Sequence, residues 1–171
     1  MAVHKIVKYP EPVLTTPAEP VTEFGTAELR QLIADMFETM YGANGVGLAA
    51  PQIAISRRIT VIDCSVGEDT SQRHVLINPE ITATDGEQDD EEGCLSVPGF
   101  RANVRRALRA TARAQDVDGN PIEVTGEGLL ARALQHEIDH LNGILFLSHL
   151  TALKRDLIKR KIKKLQKNGE W

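Results

Sequence analysis

With 171 residues, of which 42% are hydrophobic and 26% charged, the chain can build one domain with a real core, which excludes fibrous and disordered classes. No apolar run approaches membrane-spanning length, and the opening MAVHKIVKYPEP has neither a signal peptide's apolar segment nor an Arg-rich leader, so the expected location is cytoplasmic, with no membrane partner. The net charge of −4 hides an asymmetry: residues 150 to 171 carry eight Lys or Arg against Asp156 and Glu170, a balance of +6 that leaves −10 on the rest. A basic tail on an acidic body favours a polyanionic partner, the bland alternative being a solvated helix face.

In chain order, the Pro-rich YPEPVLTTPAEP reads as irregular or extended. Residues 26 to 41 then space Leu29, Leu32, Ile33, Met36, Phe37 and Met40 as one buried helical stripe. RRITVID at 57 to 63 and HVLINPEITAT at 74 to 84 are β-branched and apolar and read as strands, with Asn78 and Pro79 expected to interrupt the second. RATARAQDVDGNPIEVTG folds as a hairpin about Asp118-Gly119. A second helix spans about 128 to 142 and ends near Gly143. A third, at about 150 to 167, places Leu150, Leu153, Leu157, Ile158, Ile162 and Leu165 on a broad apolar side. Helices and antiparallel strands in blocks, without βαβ alternation, predict an α+β fold with antiparallel sheets around the second helix, flanked by N- and C-terminal helices, in one domain over residues 1–171.

The second helix contains LQHEIDHLNG. His136 and His140 lie one turn apart on one face, where both rings can reach a single metal ion, with Glu137 beside the first. Protease-type completions of such a site are missing: the pattern HExxHxxGxxH ends here in Phe146, and the glutamate available after residue 140 is Glu170, at the end of the chain. His149 is a poorer candidate than Cys94 in EEGCLSVPG, which follows an acidic run of Asp85, Glu87, Asp89, Asp90, Glu91 and Glu92. A bare thiolate there faces a negative potential, which a divalent cation reverses. Cys94, His136 and His140 supply three protein ligands and leave a fourth position for water, the plan of a catalytic site. Cys64, at the end of an apolar strand, reads as a small core residue.

Three segments together, GVGLAAPQ at 45 to 52, EGCLS at 92 to 96 and HEIDH at 136 to 140, resemble the peptide deformylases, and the similarity runs from about residue 6 to 165. That resemblance implies removal of the N-formyl group from the formyl-methionine of newly synthesised polypeptides, with Glu137 as general base and acid, and with Gln52 and the backbone N–H of Leu95 as oxyanion donors. It implies one divalent ion, Fe(2+) natively, with Zn(2+), Ni(2+) or Co(2+) able to replace it. It implies substrate pairing along Gly45, Val46 and Gly47, a methionine pocket that includes Leu129 and Ala133, and Arg101 facing the peptide beyond methionine. Arg132 is a departure from an apolar position of that pocket. The basic C-terminal helix is similar to one proposed in the family to meet the ribosome. The rival readings are a broader metal-dependent amidase and an RNA-binding module with a structural metal.

Overall fold

The computed structural model describes residues 2–171. Helix α1 (Ala27–Gly42) begins where the Thr26 hydroxyl accepts a hydrogen bond from the Leu29 N–H, and its stripe of Leu29, Ile33, Met36, Phe37 and Met40 is buried as the spacing predicts. Strands β1 (Gly47–Ala49), β2 (Ile59–Asp63), β3 (Arg73–Asp85), β6 (Arg109–Gln115) and β7 (Pro121–Glu127) pair antiparallel in that order to form one sheet. Strands β4 (Gln88–Cys94) and β5 (Val97–Arg106) form a separate antiparallel hairpin. Helix α2 (Leu129–Leu141) follows β7, and α3 (Ala152–Lys167) closes the chain.

Three layers of contact position α2. The α1 stripe packs on β1 and β2 through Leu48, Ile59 and Val61. On the sheet's other side, Ala133, Leu134 and Ile138 of α2 meet Ile62, Leu76, Ala112 and Ala114. The β4–β5 hairpin then covers α2, while Val97 and Val104 of β5 pack on Phe146, Leu147, Leu150 and Ile162. The α+β class and the central position of α2 match expectation, as does its end at Asn142 and Gly143, the latter at φ +78°.

Two local expectations need correction. Asn78 and Pro79 do not break β3; Asn78 takes φ +52° and the strand continues through a register shift between Ile77 and Glu80, with the Asn78 side chain bonded to Val21 and Gln115. The apolar side of α3 is narrower than its sequence suggests: Ile162 is buried, but Leu153 and Leu157 are exposed. Among the described residues no helix is long and apolar enough to cross a membrane.

Candidate active site

Helix α2 buries eight of its thirteen residues, among them Glu137 and His140, because it lies between the main sheet and the β4–β5 hairpin. His140 Nε2 is 3.1 Å from His136 Nε2 and 3.3 Å from Cys94 Sγ, and one donor atom from each of the three residues lies within 4.8 Å of the others. Cys94 reaches them because β4 ends in a register shift and a tight turn through Leu95 and Ser96, so its pairing jumps to Val97. Ligand bonds of about 2.0–2.3 Å in tetrahedral geometry set nitrogen and sulfur donors roughly 3.3–3.6 Å apart, so the cluster fits one small cation. The protonation pattern fits as well. His136 is held well above the usual histidine range, since hydrogen bonds to Cys94 and Glu92 outweigh its burial, while burial and the neighbouring His136 press His140 well below it. The pair shares one positive charge where a cation would sit.

Glu92 fixes the orientation of His136. Its carboxylate, held well below the ordinary range despite burial, accepts from His136 Nδ1 at 2.7 Å, Arg106 Nε at 3.0 Å, Arg106 Nη2 at 2.7 Å and Arg132 Nη1 at 2.9 Å. A carboxylate can only accept, so Nδ1 keeps its proton, and once a cation replaces the other proton the Nε2 lone pair faces the cluster. Arg106 also donates from Nη1 to Asp139 at 2.7 Å, and Asp139 lies 2.8 Å from His149 Nε2. His149 thus sits at the exposed edge of this ionic network and not in the metal cluster. Glu92, Arg106 and Asp139 escaped the sequence reading. The signal for Glu92 was present: in a strand, residues two apart share a face, so Glu92 had to look the same way as Cys94.

Glu137 is 2% exposed, its Oε1 has no hydrogen-bond partner, and burial pushes its carboxyl up to about 7. A cation alongside would favour the charged form. A Cβ on Gly47 would lie 2.6 Å from Glu137 Oε2, and one on Gly45 would lie 2.8 Å from Leu95 Cδ1. Both glycines therefore leave room for the protein's own side chains. Gln52 is buried; its Oε1 accepts from the Ala49 N–H, which turns Nε2 toward Cys94 Sγ at 3.6 Å and Ser96 Oγ at 3.2 Å. The amide that can donate to a substrate oxygen is thereby oriented before any substrate arrives.

These groups open onto a cleft of about 730 Å³. Gly45, Val46 and Gly47 line one wall, Leu129, Arg132 and Ala133 another, and Gly99, Phe100 and Arg101 the rim, with Gln52, Cys94, Leu95, His136 and Glu137 at the base. Leu129 is half exposed at the mouth, Ala133 is buried, and Arg101 stands in solvent 3.7 Å from Glu91. Arg132 presents little charge to the cleft, because its guanidinium is buried and paired with Glu92. A second groove of about 800 Å³, behind α2 and lined by Arg58, Glu80, Arg105 and His149, contains none of these groups; its size reflects an open, charged surface.

An α+β fold that brings a thiol and two imidazoles together at a cleft, beside a buried glutamate, defines a metal-dependent hydrolase. The chain belongs to the polypeptide deformylase family, whose sequence model matches residues 3–156. It is 59% identical over 171 residues to the peptide deformylase of Acidobacterium capsulatum, covering 100% of both chains. Its fold is similar to the crystal structure of a peptide deformylase from Legionella pneumophila, at TM-score 0.90 and 50% identity over 98% of each chain. It is also similar to the enzyme from Ehrlichia chaffeensis in complex with actinonin, at TM-score 0.86 and 39% identity over 96% of this chain and 98% of that one.

Proposed function

We propose that this protein, acting as a single catalytic domain in the cytoplasm, removes the formyl group from the N-terminal formyl-methionine of newly made polypeptides. The observation that carries the reading is the convergence of Cys94, His136 and His140 on one point beside buried Glu137, in a member of this family. Those three residues would hold one divalent ion, Fe(2+) natively, with Zn(2+), Ni(2+) or Co(2+) also suited to the donors. When bound, the ion supplies Lewis acidity toward water and toward a carbonyl oxygen.

The remaining steps fall to the chain. Glu137 takes a proton from the attacking water and returns it to the amine nitrogen as the C–N bond breaks, so the products are formate and a free amine. Gln52 Nε2 and the Leu95 N–H donate to the oxygen that becomes negative during attack. Gly45, Val46 and Gly47 pair with the extended peptide backbone, Leu129 and Ala133 with the stem of Arg132 enclose the methionine side chain, and Arg101 faces the residues beyond. The eight Lys and Arg of the C-terminal segment, with Lys159, Lys163 and Lys167 fully on the surface, provide a docking face for ribosomal RNA.

The test is turnover of an N-formyl-Met tripeptide beside its N-acetyl and unblocked counterparts, with protein purified without oxygen and assayed for bound metal. Formate released from the formyl peptide alone is the expected result. Hydrolysis of all three would make the protein a broader amidase, and no hydrolysis with metal fully bound would overturn the reading.

A further inference from the structure

The end of α3 returns to the cleft. Gly169, at φ +72°, reverses the chain in a helix-ending turn in which the Glu170 N–H donates to Leu165 O at 2.8 Å and the Gly169 N–H to Gln166 O at 3.1 Å. This turn delivers Trp171, the sole tryptophan of the sequence, onto the cluster of Val97, Val104, Phe146 and Ile162, against which Tyr9 and Phe100 also pack. Its Nε1–H donates to Tyr9 O at 2.6 Å, its ring lies 6.1 Å from that of Phe100 at a 58° tilt, and Lys8 Nζ sits 5.5 Å from the ring centre.

Two partners of Trp171 lead to the site. Phe100 lines the cleft beside Arg101. Tyr9 belongs to a short segment that spans the two halves of the site: the Val7 N–H donates to Gln52 O at 2.8 Å, and the Tyr9 N–H donates to Ser96 O at 2.9 Å. The indole is thus fixed by the Tyr9 carbonyl and packs against Phe100.

We propose that Trp171 is a positioning residue for peptide specificity: by holding Phe100 against the cleft it builds an apolar wall for side chains beyond the formylated methionine. The inference rests on the deformylase reading, but concerns the residues that follow the reacting amide. Downstream apolar or aromatic side chains gain contact with Phe100, whereas a substrate that ends at methionine never reaches it.

The experiment compares formyl-Met-Ala-Phe with formyl-Met amide on the metal-loaded full-length protein. Trp171→Ala should raise KM for the tripeptide about 3- to 10-fold, the range set by one aromatic pair, with kcat within about 2-fold and the formyl-Met amide KM unmoved. Trp171→Phe, which keeps a ring against Phe100, should recover most of the loss. Independently, titrating the wild-type protein with the product peptide Met-Ala-Phe should change the emission of Trp171, while methionine alone should not; this decides the matter if Trp171→Ala proves too unstable to assay. An equal rise in KM for both substrates, or an unmoved KM ratio with silent fluorescence, would overturn the inference. A wild-type protein that turns over neither substrate fails the deformylase reading itself, which is a different result.

Discussion

Helices α2 and α3 are of similar length and are both amphipathic, yet eight of thirteen residues are buried in α2 and one of sixteen, Ile162, in α3. The difference lies in what surrounds them. Helix α2 has a sheet on one side and a hairpin on the other, so even its polar residues lose water and must find partners or change protonation. Helix α3 has the rest of the molecule on one side only, so its charges stay solvated and its leucines are left partly uncovered. The helix with a dry surround is where a carboxyl can be pushed to about 7 and two imidazoles forced to share a charge. The wet helix offers a surface rather than a reaction.

The sharpest way to break this contrast is to remove the polar groups that α2 buries. Glu137→Ala should lower kcat by about 100- to 10,000-fold while the metal content stays unchanged, because the proposed general base goes and the three proposed ligands remain. Near-normal turnover would remove Glu137 from the proton transfer. Arg106→Ala should rank next. It removes one of the two arginines on buried Glu92 and leaves half-buried Asp139 with His149 alone, a loss of about 1 to 3 kcal/mol, readable as a lower urea midpoint. A change below 1 kcal/mol would mean that water reaches the pair.

How much of this was legible depended on whether side-chain pattern or tertiary context decided the element. The α1 stripe, β2, the β6–β7 hairpin and α2 were readable because apolar periodicity and turn chemistry agreed with the fold. Strands β4 and β5 were not: QDDEEGC has the composition of a solvated loop, yet it pairs as a strand whose partner sets Arg105 opposite Asp89 and Arg101 diagonal to Glu91. Missing that hairpin concealed the Glu92 and Arg106 network, although Cys94 itself was found through the metal argument. The α3 stripe was overread because hydrophobic spacing states which face could be buried, not how much partner surface exists to bury it.

That overreading gives the next comparison. Ile162→Ala should cost about 2 kcal/mol or more in chemical denaturation, since it empties a site closed by Val97, Val104 and Phe146. Leu153→Ser, on the same helix but 72% exposed, should stay within about 0.5 kcal/mol. Equal costs would mean that α3 packs along both rows and that the sequence pattern was right after all.

The smallest effect belongs to α1, which is half covered and stands between the two cases. Asp35 accepts from the Ala2 N–H at 2.7 Å, from Gln31 Nε2 at 2.8 Å and pairs with His4 at 3.2 Å, tying the start of the chain to the helix. The Gln31 side chain, the Ala2 N–H and His4 hold its carboxyl down at about 2, against 3.8 when free. A carboxyl whose folded value is depressed binds its proton more readily in the unfolded chain, so its stabilisation is complete above about pH 4 and disappears as the pH falls toward 2. Asp35→Asn should therefore unfold at a lower urea concentration than the wild type at pH 7, and the gap should close as the pH is lowered to 3 and below. A gap that stays constant with pH would assign the contribution to hydrogen-bond geometry alone, which asparagine only partly reproduces, and would leave charge burial on α2 as the sole source of titration-linked stability among the helices.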